Sequence, residues 1–366
     1  MNFKLSFTKP NLPVILLLMG YVAVALYLGI FLRYDFLRSD VLSYWQDSLA
    51  WKTPFHPFHV PGYPLIIAFL RGITFGIPSA IGLMMSINLF TFLASAFLIY
   101  RIINVSGAGN ELAMLGILLF GLWPFVGLTY IVDPLADMPA MFLFLTGLYF
   151  LLTSRRLPAS LFLGFSLVTH KAMWLFVGLL IITEIFFRRK YILKSYISFV
   201  AVILLPLAVL WLFGSFFHNS ITWLFSSNLE VEVASKSAFP VLDGLLGTIK
   251  EGGIKGWGKG LLLSGFACIP LAAVYGSIKL KYENYQYGLA ISLTSLFLFL
   301  ILNQGEIWAA MRFGRLLVVP LMLMANANPK FRNLIWWNSP PIVIGLIVLF
   351  LSQFAYAWYM AIIYFG

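Results

Sequence analysis

Long apolar runs without a single charge, separated by short charged stretches, dominate the pattern of this chain. No Asp, Glu, Lys or Arg occurs in 10–32, 72–100, 112–132, 138–154, 195–217, 260–278, 284–305 or 333–366. Shorter runs of the same kind fill 157–169, 172–183 and 316–329. A helix needs about 20 mostly apolar residues to cross a bilayer. The pattern therefore predicts an all-α polytopic membrane protein with about eleven transmembrane helices, plus a half-length helix over 59–75. The first run is long enough to remain as an anchor, and no small-residue cleavage site follows it. The first outer loop spans 33–76. A longer outer loop over 216–259 leads into the Gly-rich stretch from Lys250 to Gly260. Nothing reads as a soluble domain, a fixed-period repeat or a low-complexity tract, so 1–366 is expected to form one transmembrane domain.

Composition supports this reading. Of 366 residues, 61% are hydrophobic and 10% charged, against about 45–50% and roughly 25% in soluble domains. Such a chain cannot keep its surface in water, so lipid must be its solvent. Cys268 is the single cysteine, which excludes an intramolecular disulfide, and its apolar surroundings predict a packing role. The net charge of +11 does not point to nucleic acid, because no basic patch interleaves with aromatics in a soluble segment.

Distributing the charges explains the excess. With the N-terminus in the cytoplasm and each run crossing once, Lys4, Lys9, Arg101, Arg155, Arg156, Arg188, Arg189, Lys190, Lys194, Lys279, Lys281, Lys330 and Arg332 fall inside. Only Glu111, Glu184 and Glu283 join them there. This is the positive-inside asymmetry, and the opposite orientation inverts it. A multi-pass protein of the plasma (inner) membrane is expected, with a reaction site on its outer face.

The outer face then holds three clusters. The first is the loop after the first run, with Asp40, Tyr44 and Asp47 followed by His56 and His59. Their spacing of four and three places Asp40, Tyr44 and Asp47 on one helical face, with Leu42, Trp45 and Leu49 on an apolar one. That predicts a short helix lying in the membrane interface, which could equally be a plain solvated surface helix. The second is Asp133 and Asp137 around Pro134, at the start of the fourth span. One acid there is an ordinary helix-capping choice; a second is harder to dismiss.

The third cluster is His170-Lys171 with Arg312 and Arg315. The run 157–169 rises only about 20 Å as a helix, short of the roughly 30 Å hydrocarbon core. His170 and Lys171 therefore sit below the outer surface. A cation at membrane depth costs about 2.5–3.5 kcal/mol on insertion scales, so it needs a partner or a task. The bland alternative is that Lys171 and the arginines snorkel outward or pair with Asp133 and Asp137. The functional one is that they grip a lipid phosphate, which Arg can do bidentately, while a water-facing carboxylate serves as general base for a hydroxyl acceptor. Sugar transfer from a polyprenyl phosphate fits this pairing.

Several short motifs resemble a known superfamily. Asp40-x-x-x-Tyr44, followed by His59-Val60-Pro61-Gly62-Tyr63-Pro64-Leu65, is similar to the first outer loop of GT-C glycosyltransferases. These integral-membrane enzymes use lipid-phosphate-linked sugars and include protein O-mannosyltransferases, GPI mannosyltransferases and the aminoarabinose transferases of lipid A. Asp133-Pro134-Leu135 resembles the family's acid-Pro-Leu at the outer start of the fourth span. His170-Lys171 falls where many members carry a basic residue between two helices. Arg312-Phe313-Gly314-Arg315, running on through Pro320 to Leu321, resembles the Arg-Tyr-x-x-x-Pro-x-x-Pro run near the end of several members. The resemblance covers roughly 10–325. It differs at Asp40, which Ser39 and Val41 flank where many members carry two adjacent acids.

The resemblance implies inverting transfer with Asp40 as catalytic base. His170, Lys171, Arg312 and Arg315 would bind the donor phosphate. Tyr44, Asp47, His59, Asp133 and Asp137 would bind substrate or hold the basic residues. Its partners would be a polyprenyl- or dolichyl-phosphate-linked sugar, a glycan, lipid or protein acceptor, and membrane lipids. A metal could be drawn among Asp40, Asp47, His56 and His59, but the spacing matches no strong metal motif, and no cofactor or required metal is expected. The main alternative is a transporter or lipid flippase. Transporters often show inverted repeats and broken helices near the midplane; no duplicated pattern occurs here, and the charges lie near one face. A purely structural membrane protein leaves Lys171 and Arg312 beside short spans without a reason.

Overall fold

The computed structural model describes residues 12–26, 39–49, 60–123, 134–187, 193–219, 268–301 and 312–335, with 348 and 351. Every regular element among them is helical: α1 (Leu12–Leu26), α2 (Ser39–Leu49), α3 (Gly62–Ile73), α4 (Ala80–Val105), α5 (Asn110–Gly121), α6 (Asp137–Leu152), α7 (Arg156–Thr169), α8 (Ala172–Phe187), α9 (Leu193–His218), α10 (Cys268–Leu280) and α11 (Tyr285–Ile301). A 3-10 turn at Arg315–Leu317 then leads into α12 (Val318–Ala327), followed by α13 (Pro329–Ile335). Among the described residues two helices, Ala80–Val105 and the 196–217 part of α9, are long and apolar enough to cross a membrane.

Local chemistry sets the helix ends. The uncharged run 72–100 does not coincide with one helix. α3 ends at Ile73, Gly76 turns the chain with φ +72, and the Ser79 hydroxyl accepts the Gly82 N–H to start α4, as a serine N-cap does. α4 then continues through Arg101 to Val105. Its return into α5 uses Gly107 and Gly109 at φ +79 and +83, backbone conformations that side-chain-bearing residues avoid.

α6 packs on α4 and on α7, α7 also on α9, α8 on α11, and α5 on α4 and α12. The shared interior holds Tyr63, Phe92, Phe120, Phe144, Phe176 and Phe313, all buried. Close backbone approach needs glycine at Gly164, where an added Cβ would come within 2.5 Å of the Ile203 carbonyl, beside Pro206 of α9. The outer side of α9 carries Leu212, Phe213 and Phe216, all largely exposed, as a lipid-facing surface would. Cys268 is exposed and not packed in the interior, because its place is the first turn of α10 and not a buried stripe.

α2 forms where the spacing of the first loop predicts a helix, but it presents a different face. Val41, Tyr44 and Ser48 are buried and Leu49 is exposed. Packing of α2 on α3 turns Tyr44 inward, where its ring meets that of Tyr63 edge-on at 5.1 Å. An aromatic contact has won over the amphipathic pattern.

Candidate functional site

Polar contacts gather at the two ends of α7, a helix of 14 residues and so about 21 Å long. At its far end, beyond Thr169, lies the cluster built from the residues singled out above.

Asp137 opens α6. A first-turn acid suits the positive end of the helix, and Pro139 is tolerated there because first-turn N–H groups have no intrahelical partner. The side chain is only 1% exposed. Its Oδ2 lies 2.6 Å from Arg312 Nη1, and its Oδ1 lies 3.0 Å from His170 Nε2. Each carboxylate oxygen thus faces one basic side chain. Of the roles open to Asp137, the geometry brings out the holding of the basic residues.

His170 ends α7 in extended conformation, and its Nδ1 accepts the backbone N–H of Ala172, the first residue of α8, at 3.1 Å. Its Nε2 is therefore the ring nitrogen that faces Asp137 Oδ1. The ring also packs on Phe313 at 4.9 Å between centroids. Lys171 follows, half-buried.

Arg312 and Arg315 stand three residues apart on helical backbone, so both reach the start of α6. Arg312 goes to Asp137, and Arg315 Nη1 lies 3.3 Å from Met138 Sδ. Phe313, between them, is wedged against His170 and Phe176. Arg315 is completely buried, its guanidinium 5.0 Å above the Phe120 ring. The two cations therefore differ. Arg312, 23% exposed along its side chain, is within reach of the surface; Arg315 is sealed from it.

The first loop is tied to the same place. The Tyr63 hydroxyl donates to the Pro134 carbonyl at 3.2 Å and accepts from Asn88 Nδ2 at 2.8 Å. Gly62 lies so close to the end of α7 that a Cβ there would fall 2.2 Å from the Val168 carbonyl. Asp47, on α2, is half-buried. The Asp40 side chain and residues His56, His59 and Asp133 lie outside the described residues, as does 220–267 of the longer loop. Among the described residues no three His, Cys, Asp or Glu side chains come together in a way that could hold a metal.

Two contributors carried no role in the sequence reading. Asn88, an amide in the middle of the apolar helix α4, is itself a signal, since such a group is costly in lipid without a partner. Tyr63 stands within the quoted first-loop motif, but nothing local shows what its hydroxyl meets. At the opposite end of α7, Arg156 Nη2 lies 3.6 Å from Glu184 Oε1, Tyr287 donates to Oε2 at 2.7 Å, and Tyr196 donates to the Glu184 carbonyl at 3.3 Å.

The chain matches no protein-family profile, no curated protein and no solved structure. The site's own chemistry must carry the functional reading.

Proposed function

We propose that the protein is a multi-pass membrane glycosyltransferase of GT-C type, inverting, with its site at the outer face. One observation carries the reading: Asp137, His170, Arg312 and Arg315, from distant parts of an apolar chain, meet at one end of the bundle where α3 is also anchored. Ionisable groups are expensive in such surroundings and mark function when they converge. The first-loop, acid-Pro-Leu and late arginine motifs that resemble the superfamily are the segments that meet.

In the proposed reaction a sugar leaves a polyprenyl- or dolichyl-phosphate for a hydroxyl of a glycan, lipid or protein acceptor. Asp40, in the first turn of α2, takes the hydroxyl proton. The acceptor oxygen attacks the anomeric carbon from the side opposite the phosphate, and the bond from that carbon to the phosphate oxygen breaks with inversion. The phosphate leaves with the electron pair. Arg312 and Lys171 stabilise its charge by contact and Arg315 by its field, where fixed charges in a low-dielectric site act strongly. Asp137 holds Arg312 and His170 in place. No cofactor or required metal enters the scheme. About eleven spans, a cytoplasmic N-terminus and the positive-inside charge distribution complete the picture.

A transporter or lipid flippase is the second reading, and placement of the cluster at the end of α7, not at its middle, argues for surface chemistry. Incubating purified protein with a panel of lipid-linked sugars and acceptors, read by mass spectrometry, tests the proposal. A glycosylated product with release of polyprenyl phosphate supports it; movement of intact lipid across vesicles without product supports transport instead.

A further inference from the structure

Tyr63 and Asn88 lie outside the set of residues that the reaction uses, yet they join its two halves. Asn88 is fully buried at 0% exposure in α4. Its amide donates to the Tyr63 hydroxyl at 2.8 Å and to the Met84 carbonyl at 3.2 Å. Tyr63, also at 0% exposure, donates a hydrogen bond in turn to the Pro134 carbonyl at 3.2 Å. Pro134 leads directly into Asp137. On its other side the Tyr63 ring meets Tyr44, one helical turn after Asp40 on α2. Gly62, the neighbour of Tyr63, abuts the Val168 carbonyl just before His170.

We infer that Tyr63 is a positioning residue: through Asn88 and Pro134 it fixes the register between α2, which bears the proposed base, and α6, which bears the carboxylate holding the donor-binding cations. The inference rests on the glycosyl-transfer reading. Its physical basis is that a hydroxyl bonded on both sides inside an apolar core locks orientation as well as distance. The phenyl ring alone would keep the packing against Tyr44 and lose the lock. A misplacement of the order of 1 Å between reacting groups costs up to about 100-fold in rate. Donor binding depends on Arg312, Lys171 and His170, so it stays.

Two measurements on the full-length protein test this. In a Cys268→Ser background, spin labels at Gln46→Cys and Leu135→Cys report the distance between α2 and the approach to α6. Tyr63→Phe is expected to broaden that distribution, and Asn88→Leu to do the same. An unchanged distribution in both overturns the coupling, whatever the protein catalyses. In the transfer assay, Tyr63→Phe is expected to lower kcat by about 10- to 100-fold with the donor KM unchanged. Equal kcat in variant and wild type overturns the positioning role and leaves the glycosyl-transfer reading standing. Absence of transfer by the wild type overturns that reading and the positioning role with it, while the distance result still decides whether the two helices are coupled.

Discussion

Arg312 Nη1 and Asp137 Oδ2 stand 2.6 Å apart at the start of α6, with the carboxylate buried. Charge-assisted contacts of this kind are worth about 1.5–3 kcal/mol each. Asp137→Asn is therefore expected to lower thermal stability by about that amount and to release Arg312 and His170 from their fixed positions. Transfer activity should fall with it. Unfolding in detergent micelles and the transfer assay check the two effects; unchanged stability would mean that the pair is not formed in solution.

Arg312 is the cation that can reach a ligand directly. Arg312→Ala is expected to weaken binding of a polyprenyl phosphate by about 10- to 100-fold, the equivalent of one charged hydrogen bond. Arg312→Lys should recover only part of the loss, because an ammonium cannot bridge Asp137 and a phosphate in the planar fork that guanidinium offers. Titration with fluorescent polyprenyl phosphate reads both, and equal affinity across the three proteins would remove the phosphate role.

Gly62 tests how tightly the first loop is seated. A Cβ there would lie 2.2 Å from the Val168 carbonyl and 3.0 Å from the Thr169 Cα, and both are backbone that cannot swing aside. Gly62→Ala is expected to cost roughly 1–3 kcal/mol and to disturb the neighbouring His170. Gly20→Ala, with nothing within 4 Å of the new Cβ, serves as the control and should be neutral or stabilising by up to about 1 kcal/mol. Thermal midpoints of the two variants give the comparison.

The Arg156–Glu184–Tyr287 contacts lie at the other end of α7, away from the proposed chemistry. Removing one member of a buried ion pair is costly because the other charge stays behind. Glu184→Ala should therefore reduce stability while leaving turnover at a permissive temperature unchanged. A selective loss of turnover at unchanged stability would give that end of the bundle a direct part in the reaction.

Much of this site was legible in the chain because charge in so apolar a sequence is rare and costly. His170, Lys171, Arg312, Arg315 and Asp137 stand out on that ground alone, and the helical nature of the chain followed from its long uncharged runs. What remained hidden depends on pairing between distant helices. Which acid meets Arg312, which ring nitrogen of His170 faces that acid, the burial of Arg315 beneath the site and the Asn88–Tyr63–Pro134 chain are all set by packing, which no local pattern encodes. The inward turn of Tyr44 is the same lesson on a smaller scale: periodicity located α2, but its neighbour chose which face was covered.

The most direct test of the account compares wild type with Asp40→Asn in the presence of a radiolabelled polyprenyl-phosphate sugar and a hydroxyl acceptor. Wild type is expected to release polyprenyl phosphate and form glycosylated product with inverted anomeric configuration, and the variant, equally folded and inserted, to form none. Matching product from both proteins would contradict the assignment of Asp40, and no product from the wild type with any donor tried would contradict the enzyme itself.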